Sequence, residues 1–354
     1  MPLMSNWVNW MTRFFTYLLM LPLAVALTAC GLVDQDIREC EPSDFQLDYE
    51  LDLVTNMTTE IDTEVSLVAD VAVTQAMKSY MDGVFTDFAH DVDLRFYDVA
   101  GDSTLLHQEA HVMDASQTSY TLSIPVREYM HLASANLDLN ETLSLDYGEN
   151  CHSARILQQV ADTLPSHSAG VFTGRLPMRI LEGRDQQFDM RLYMANSATA
   201  LVIDTTGCNI RDVKVFMSGF ATSFDICDSL YHFDYTPVIR ADKLSTAPTN
   251  AMAFAAVHFP SRQAEDTKVL IDVDDPFVEV NAGHTLWQYR VYVYLKDGTI
   301  TENILGVRRV LHPGELKALV AWAHADGTVI PSDPTVTVLV TLDWTPGLVI
   351  PVDL

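Results

Sequence analysis

The chain has 354 residues, with 21 Lys+Arg against 48 Asp+Glu and five cysteines. A net charge of −27 repels phosphate backbones and anionic headgroups, which argues against a nucleic-acid partner. With 48% hydrophobic and 19% charged residues and no low-complexity tract, the chain is neither disordered nor collagen-like; its length suits about two domains.

Residues 1–13 hold one charge, Arg13, and the charge-free run Phe14 to Leu27 follows. It ends in Leu27-Thr28-Ala29-Cys30-Gly31. A positive start, an apolar stretch of about 15 residues and small residues before a cut are the marks of a secretory signal over residues 1–29. The run is short of the roughly 20 residues that span a bilayer, and no other stretch approaches that length. Leu-Thr-Ala-Cys resembles the bacterial lipobox. That resemblance implies cleavage before Cys30, diacylglycerol on its sulfur and acylation of the new amino terminus. The alternative is an ordinary signal peptide with a chance cysteine. Gly31 stands where some bacteria place an inner-membrane retention aspartate, and Asp34 and Asp36 resemble an acidic surface-export signal. Cleavage removes Arg13 and no acidic residue, so the mature chain is one unit more acidic. Solubility of an exported protein accounts for this acidity; a cationic partner is the alternative.

Four cysteines remain: Cys40, Cys151, Cys208 and Cys227. An even count in an exported chain suggests disulfides, with three connectivities open. Cys208 and Cys227 lie close in sequence and are placed to bridge a local loop, leaving Cys40 to Cys151. Four buried free thiols are the alternative. No C-x2-C pair supports zinc.

Residues 30–44 read as a lipidated tether. Phe45, Leu47, Tyr49, Leu51 and Leu53 alternate with polar residues and predict a half-buried strand. Met77, Tyr80, Met81, Val84, Phe85 and Phe88 then recur at helical spacing, so a helix over 75–88 packs one stripe on a sheet. Alternation returns at Val92, Leu94 and Phe96, and again at Tyr120, Leu122, Ile124 and Val126. Leu132 to Leu145 supplies one or two more strands, and a short helix is a candidate at 155–164. Pro165, Ser166, Ser168 and Gly170 mark a connection, which divides the chain into residues 45–165 and 166–354.

In the second half, strands are predicted at 187–194, 199–204, 211–217, 251–259, 267–273, 286–295 and 335–344. In the strand before Lys296, Tyr289, Val291, Val293 and Leu295 share one face, and Asp297-Gly298 signals a hairpin turn. Short strands between turns, with few helices, predict a mainly β chain of β-sandwiches.

The order of these pieces resembles the fimbrillin-associated anchor proteins, lipoproteins of type V pili in Gram-negative gut and oral bacteria. The residues that carry it are Cys30, Cys40 and the strand Phe45–Leu53, then Val84-Phe85-Thr86-Asp87-Phe88-Ala89 and Val92–Asp98. Tyr129-Met130-His131-Leu132-Ala133-Ser134-Ala135-Asn136, Val171-Phe172-Thr173-Gly174, and Asp343-Trp344 with Gly347 continue it. The match spans nearly the whole mature chain, although residues 60–82 are longer than the family's connection. The resemblance implies two tandem transthyretin-like β-sandwich domains with one or two short helices, and a non-enzymatic role. The lipid on Cys30 would hold the pilus base in the outer membrane, and the partner would be a fimbrial shaft subunit. Pilins of this class join by β-strand addition. A subunit tethered by its N-terminus ends such a series, and Thr335–Asp353 is the segment expected to join the shaft. The alternative for Thr335–Trp344 is a core strand of its own sandwich.

Other motifs are incomplete. His107 and His111 share a strand face without an adjoining ligand motif. Asp272, Asp274 and Asp275 resemble part of a calcium loop, but Pro276 breaks it and the closing glutamate is missing. Ser166, His167 and Ser168 lack a nucleophile elbow, and no phosphate or dinucleotide fingerprint occurs, so no cofactor is expected. Asn56 and Asn140 fit a glycosylation triplet that presumes a eukaryotic pathway. Tyr289, Tyr292 and Tyr294 motivate the runner-up, a surface lipoprotein that binds polysaccharide. A secreted hydrolase is a third reading.

Overall fold

The computed structural model describes residues 45–54, 61–64, 68, 70–85, 89–112, 119–182, 184–245, 250–262, 285–334 and 336–341. The elements run β1 (45–54), α1 (71–84), β2 (91–98), β3 (105–112), β4 (119–124), β5 (128–135), β6 (143–146), β7 (155–158), β8 (172–179), β9 (186–194) and β10 (197–204). They continue with β11 (210–218), β12 (223–225), β13 (230–232), β14 (239–240), β15 (242–243), β16 (251–258), β17 (287–295), β18 (300–307), β19 (316–323), β20 (329–331) and β21 (337–341).

The strands build four sheets. A seven-stranded sheet has the order β3-β2-β5-β8-β9-β1-β4, and a four-stranded sheet the order β13-β12-β7-β6. Two five-stranded sheets follow, β15-β16-β10-β19-β20 and β14-β11-β17-β18-β21. The chain is mainly β, arranged as tandem β-sandwiches with few helices.

The β10-centred sheet is buried on both faces, so its strands are apolar without strict alternation. Ala198, Ala200 and Val202 of β10, with Ala253, Ala255 and Val257 of β16, face a core shared with α1 and the seven-stranded sheet. Leu201 and Ile203, with Phe254 and Ala256, face Val213, Val215, Val291 and Val293 of the β11–β17 sheet. The alanines have a physical role. α1 lies directly over β16, and small side chains let the helix approach the sheet closely.

α1 begins earlier than its apolar stripe suggests. Asp70 caps it, its carboxylate accepting the N–H of Ala72 at 2.9 Å and of Val73 at 3.2 Å. The stripe Val73, Met77, Met81 and Val84 is buried, and the Phe85 N–H closes the last turn on Met81 O at 2.8 Å. Tyr80 reaches across to donate to Asp242 Oδ2 at 2.8 Å.

The connection at residue 165 divides no sheet. β5 pairs with β8 from Glu128↔Arg179 to Ala135↔Phe172, and β1 pairs with β9 in parallel. The seven-stranded sheet thus runs on to Met194. The four-stranded sheet also crosses the connection, joining β6 and β7 to β12 and β13. The expected helix at 155–164 is instead strand β7, preceded by a single 3-10 turn at Cys151–Ser153. Ile156 enters the core while Arg155 and Leu157 are half-exposed, a period of two that four residues are too few to reveal. The hairpin at Asp297-Gly298 is formed. Gly298 adopts a φ of +95°, open to glycine, and Asp297 Oδ1 accepts the Thr299 N–H at 2.9 Å. The strand expected at 267–273 lies outside the described residues.

Candidate assembly edge

Among the described residues, the last strand, β21, forms one edge of its sheet. It pairs antiparallel with β18, from Glu302↔Thr341 to Gly306↔Thr337. Its sequence, Thr337-Val338-Leu339-Val340-Thr341, carries no charge and no proline. Val338 is 40% exposed, while Val336, two residues before it, is in the core. An uncharged, β-branched edge is a template for another strand.

The opposite edge is blunted. β14 covers only Phe216 and Met217 of β11, and Ala241 N–H adds one bond to Val215 O at 3.0 Å. Beside the rest of β11 lies a groove of about 710 Å³, lined by Asp162–Pro165, Asp212–Phe216 and Arg240–Lys243. The register breaks between Ile210 and Asp212, a bulge that turns the strand. Lys243 Nζ pairs with Asp212 at 3.1 Å, and Arg211 and Lys214 both lie over the Tyr294 ring. Bulge and charges are devices that stop strand pairing, and β21 has no charge at all.

The tyrosines of β17 do not form a row. Tyr289 is buried and donates to Ala200 O at 3.0 Å. Tyr292 is buried on the other face and donates to Glu302 Oε1 at 3.0 Å; burial pushes its hydroxyl up to about 12. Tyr294 is half-buried between its two cations. A different aromatic is open: Trp322, 47% exposed, lines a groove of about 620 Å³ with Asp204, Asn250 and Asp333.

Cys30 and Cys40 lie outside the described residues, as do Asn56, Asp272, Asp274, Asp275 and Trp344. Cys208 is half-buried, its sulfur 3.1 Å from Ala323 O. The local Cys208–Cys227 bridge is not formed. β12 runs antiparallel to β7 and carries Cys227 to Cys151 instead, where both are buried thiols. Desolvation is the first cause that pushes the Cys227 thiol up to about 12, with Cys151 beside it the next.

His107 and His111 face one carboxylate that the sequence reading passed over. Glu109 sits between them on β3, its Oε1 2.7 Å from His107 Nε2 and its Oε2 3.0 Å from His111 Nε2. The i, i+2, i+4 spacing was the available signal. Ser166 and His167 do not approach as nucleophile and base. Ser166 Oγ accepts the Val257 N–H at 2.8 Å, and His167 Nε2 lies 2.8 Å from Gln158 Oε1. Burial, with His258 nearby, holds the His167 ring down to about 3. Asn140 is buried and accepts the N–H groups of Ser168 and Ala169 at 2.8 and 3.1 Å.

No family model and no curated protein matches the sequence. Solved structures are similar to this chain. A candidate polysaccharide-binding protein from Bacteroides thetaiotaomicron matches with a TM-score of 0.50 at 8% identity, over 83% of this chain and 98% of that one. A candidate adhesin from Bacteroides ovatus gives 0.49 at 12% identity, over 77% and 85%. A fimbrial anchor protein from Porphyromonas gingivalis gives 0.46 at 7% identity, over 83% and 97%.

Proposed function

We propose that this chain is a non-enzymatic lipoprotein of the outer membrane, held by lipid on Cys30, that anchors or terminates a type V pilus. It joins the fimbrial shaft subunit by β-strand addition. The observation that carries the reading is the contrast between edges: β11 is blunted by a bulge and charges, and β21, at the C-terminal end of the described chain, is not. Backbone bonds along such an edge supply affinity, and alternate side chains supply specificity. Each buried CH₂ of an acyl chain stabilises membrane attachment by about 0.8 kcal/mol, so several chains on one residue hold firmly. A subunit fixed at its N-terminus offers only its other end, which is how it ends a series.

The test is a pull-down of the tagged, lipidated protein from its native cells, with Cys30→Ala as control. Pilin ladders should copurify, and Cys30→Ala should leave the membrane fraction and release pili to the medium. Absence of pilin from the wild-type pull-down refutes the reading.

The second reading, a surface lipoprotein that binds polysaccharide, is favoured by Trp322. An exposed indole beside Asp204, Asn250 and Asp333 offers a stacking face and polar groups for a sugar. Affinity electrophoresis in glycan-loaded gels separates the two. Retardation that Trp322→Ala abolishes supports the glycan reading, and unretarded wild-type protein removes it.

A further inference from the structure

We propose that Cys151 and Cys227 form a disulfide in the exported protein, stapling the chain across its middle connection. The inference rests on the export part of the reading above. Cys151 opens the 3-10 turn before β7, and Cys227 follows β12. These strands are antiparallel neighbours: Asp225 lies opposite Arg155, and the Ile226 N–H continues the ladder to Ala154 O at 3.2 Å. One residue further on brings Cys227, and three residues back from Ala154, across the 3-10 turn, lies Cys151. Their sulfurs and one ring nitrogen of His152 all lie within 4.8 Å of one another. The following residues repeat the juxtaposition, with His152 Nδ1 3.0 Å from Asp228 Oδ1. The backbone on the Cys227 side is held as well, since Arg175 donates to Cys227 O.

The surroundings favour a bridge over a bound metal. Each cysteine is 2% exposed and sits with Ala154, Ile156, Phe224 and Ile226 in one apolar cluster. A structural zinc takes four ligands, and this group offers two sulfurs and one histidine already paired to Asp228. Two thiols buried against each other, in a chain that passes through an oxidising compartment, are placed to be joined.

The step balances with an envelope dithiol–disulfide exchange protein as oxidant. One cysteine thiolate attacks the oxidant's disulfide, forming a mixed disulfide and releasing one of its thiolates. The second cysteine thiolate then attacks the mixed disulfide and expels the other. Cys151 and Cys227 lose two electrons and two protons, and the oxidant leaves as a dithiol. Burial raises the Cys227 thiol, so the folded protein presents little thiolate, and the exchange belongs to folding before β12 docks on β7. The finished bridge is shielded from reductants by the same burial.

The test is peptide mapping of the full chain, exported with its own leader in a Gram-negative host and digested without reductant after blocking free thiols in denaturant. The mass of the N-terminal peptide, cut and acylated at Cys30 or not, reports export on the same sample. The expected result is a linked pair of peptides holding Cys151 and Cys227, lighter by two hydrogens and open to alkylation only after reduction. An exported chain with both thiols alkylated, a bridge to Cys40 or Cys208, or zinc retained with both thiols free overturns this inference alone. An unexported, reduced chain overturns it together with the export reading. Where Cys227→Ser and Cys151→Ser both fold, each should lower the thermal midpoint by roughly 5–10 °C, and the double variant no further. Additive losses overturn the bridge.

Discussion

Glu64 completes a strand it does not belong to. Its Oε2 accepts the Ala318 N–H of β19 at 2.9 Å, and its Oε1 receives Lys317 Nζ at 2.7 Å. β20 covers only Ala321 to Ala323, so the carboxylate takes the place of a neighbour strand at Ala318. Both side chains of the ion pair are largely buried, at 10% and 15% exposure. Removing one partner of such a pair leaves a buried donor and an uncompensated charge, which costs about 3 kcal/mol. Glu64→Ala should lower stability by that amount in urea titration, and Glu64→Gln by less, because its amide oxygen still accepts the backbone donor. Equal losses in the two variants would contradict the strand-completing role.

Acid should destabilise the fold through three histidines. His131, His167 and His258 are buried and neutral, held down to about 4, 3 and 3, chiefly by desolvation. His258 Nδ1 donates to Phe259 O at 2.7 Å and its ring stacks on Phe220. Each folded value lies below the unfolded value near 6.5. Above pH 6.5 the rings are neutral in both states and contribute no pH dependence. Below it the unfolded chain takes up protons that the folded chain refuses, so stability falls by about 1.4 kcal/mol per pH unit for each ring, down to the folded values. Asp91 and Asp93 act in the opposite sense. Desolvation raises both, so as pH falls the folded state accepts their protons first and recovers part of the loss at the acid end. The urea midpoint should be lower at pH 5 than at pH 7, with a shallower slope for His258→Gln. A flat profile between these pH values would rule the mechanism out.

The readable parts of the sequence were those with alternating apolar residues or a turn signal. β1 and β2 alternate, and β17 ends in Asp297-Gly298, so their existence and the hairpin followed from spacing alone. The helix stripe from Met77 was legible, but its start was not, because Asp70 caps it about two turns earlier. β3 was missed because an edge strand with His107, Glu109 and His111 on one face and Leu106 exposed on the other shows no apolar period. β19 was missed because Ala318, Val320 and Trp322 face one side and Leu319, Ala321 and Ala323 the other, a run without contrast. Pairings between distant segments carried no local signal. Residue 165 looked like a domain boundary because β5–β8 and β7–β12 contacts cannot be seen in composition, and the approach of Cys227 to Cys151 follows from the same crossing.

Arg95 is buried completely, with its Nε 2.8 Å from Asp93 Oδ1 and the Tyr147 ring across its guanidinium at 5.5 Å. Asp93 Oδ2 also accepts from Gln108 Nε2 at 3.0 Å. Asp93→Ala strands a guanidinium in the core and should cost about 3–5 kcal/mol. Arg95→Met with Asp93→Leu removes both charges and should be more stable than Asp93→Ala alone. Thermal unfolding of the single and double variants checks this, and a double variant weaker than Asp93→Ala would show that the pair itself is worth more than its desolvation.

The β21 edge should fail as an assembly surface when charged. Val338 lies opposite the buried Leu305 but is 40% exposed, so Val338→Lys can carry its amine out to solvent and should cost no more than about 1 kcal/mol. A lysine on a strand edge blocks an incoming strand by the device already used along β11, with Lys214 on the strand and Lys243 paired to its Asp212. Pilin recovered with the tagged protein should fall roughly tenfold, equivalent to about 1.4 kcal/mol. The same lysine at Trp322, on the β19 face, should leave pilin recovery unchanged. Deleting residues 345–354 tests the rest of the segment, and unchanged pilus attachment after both changes would assign β21 to its own sandwich and nothing more.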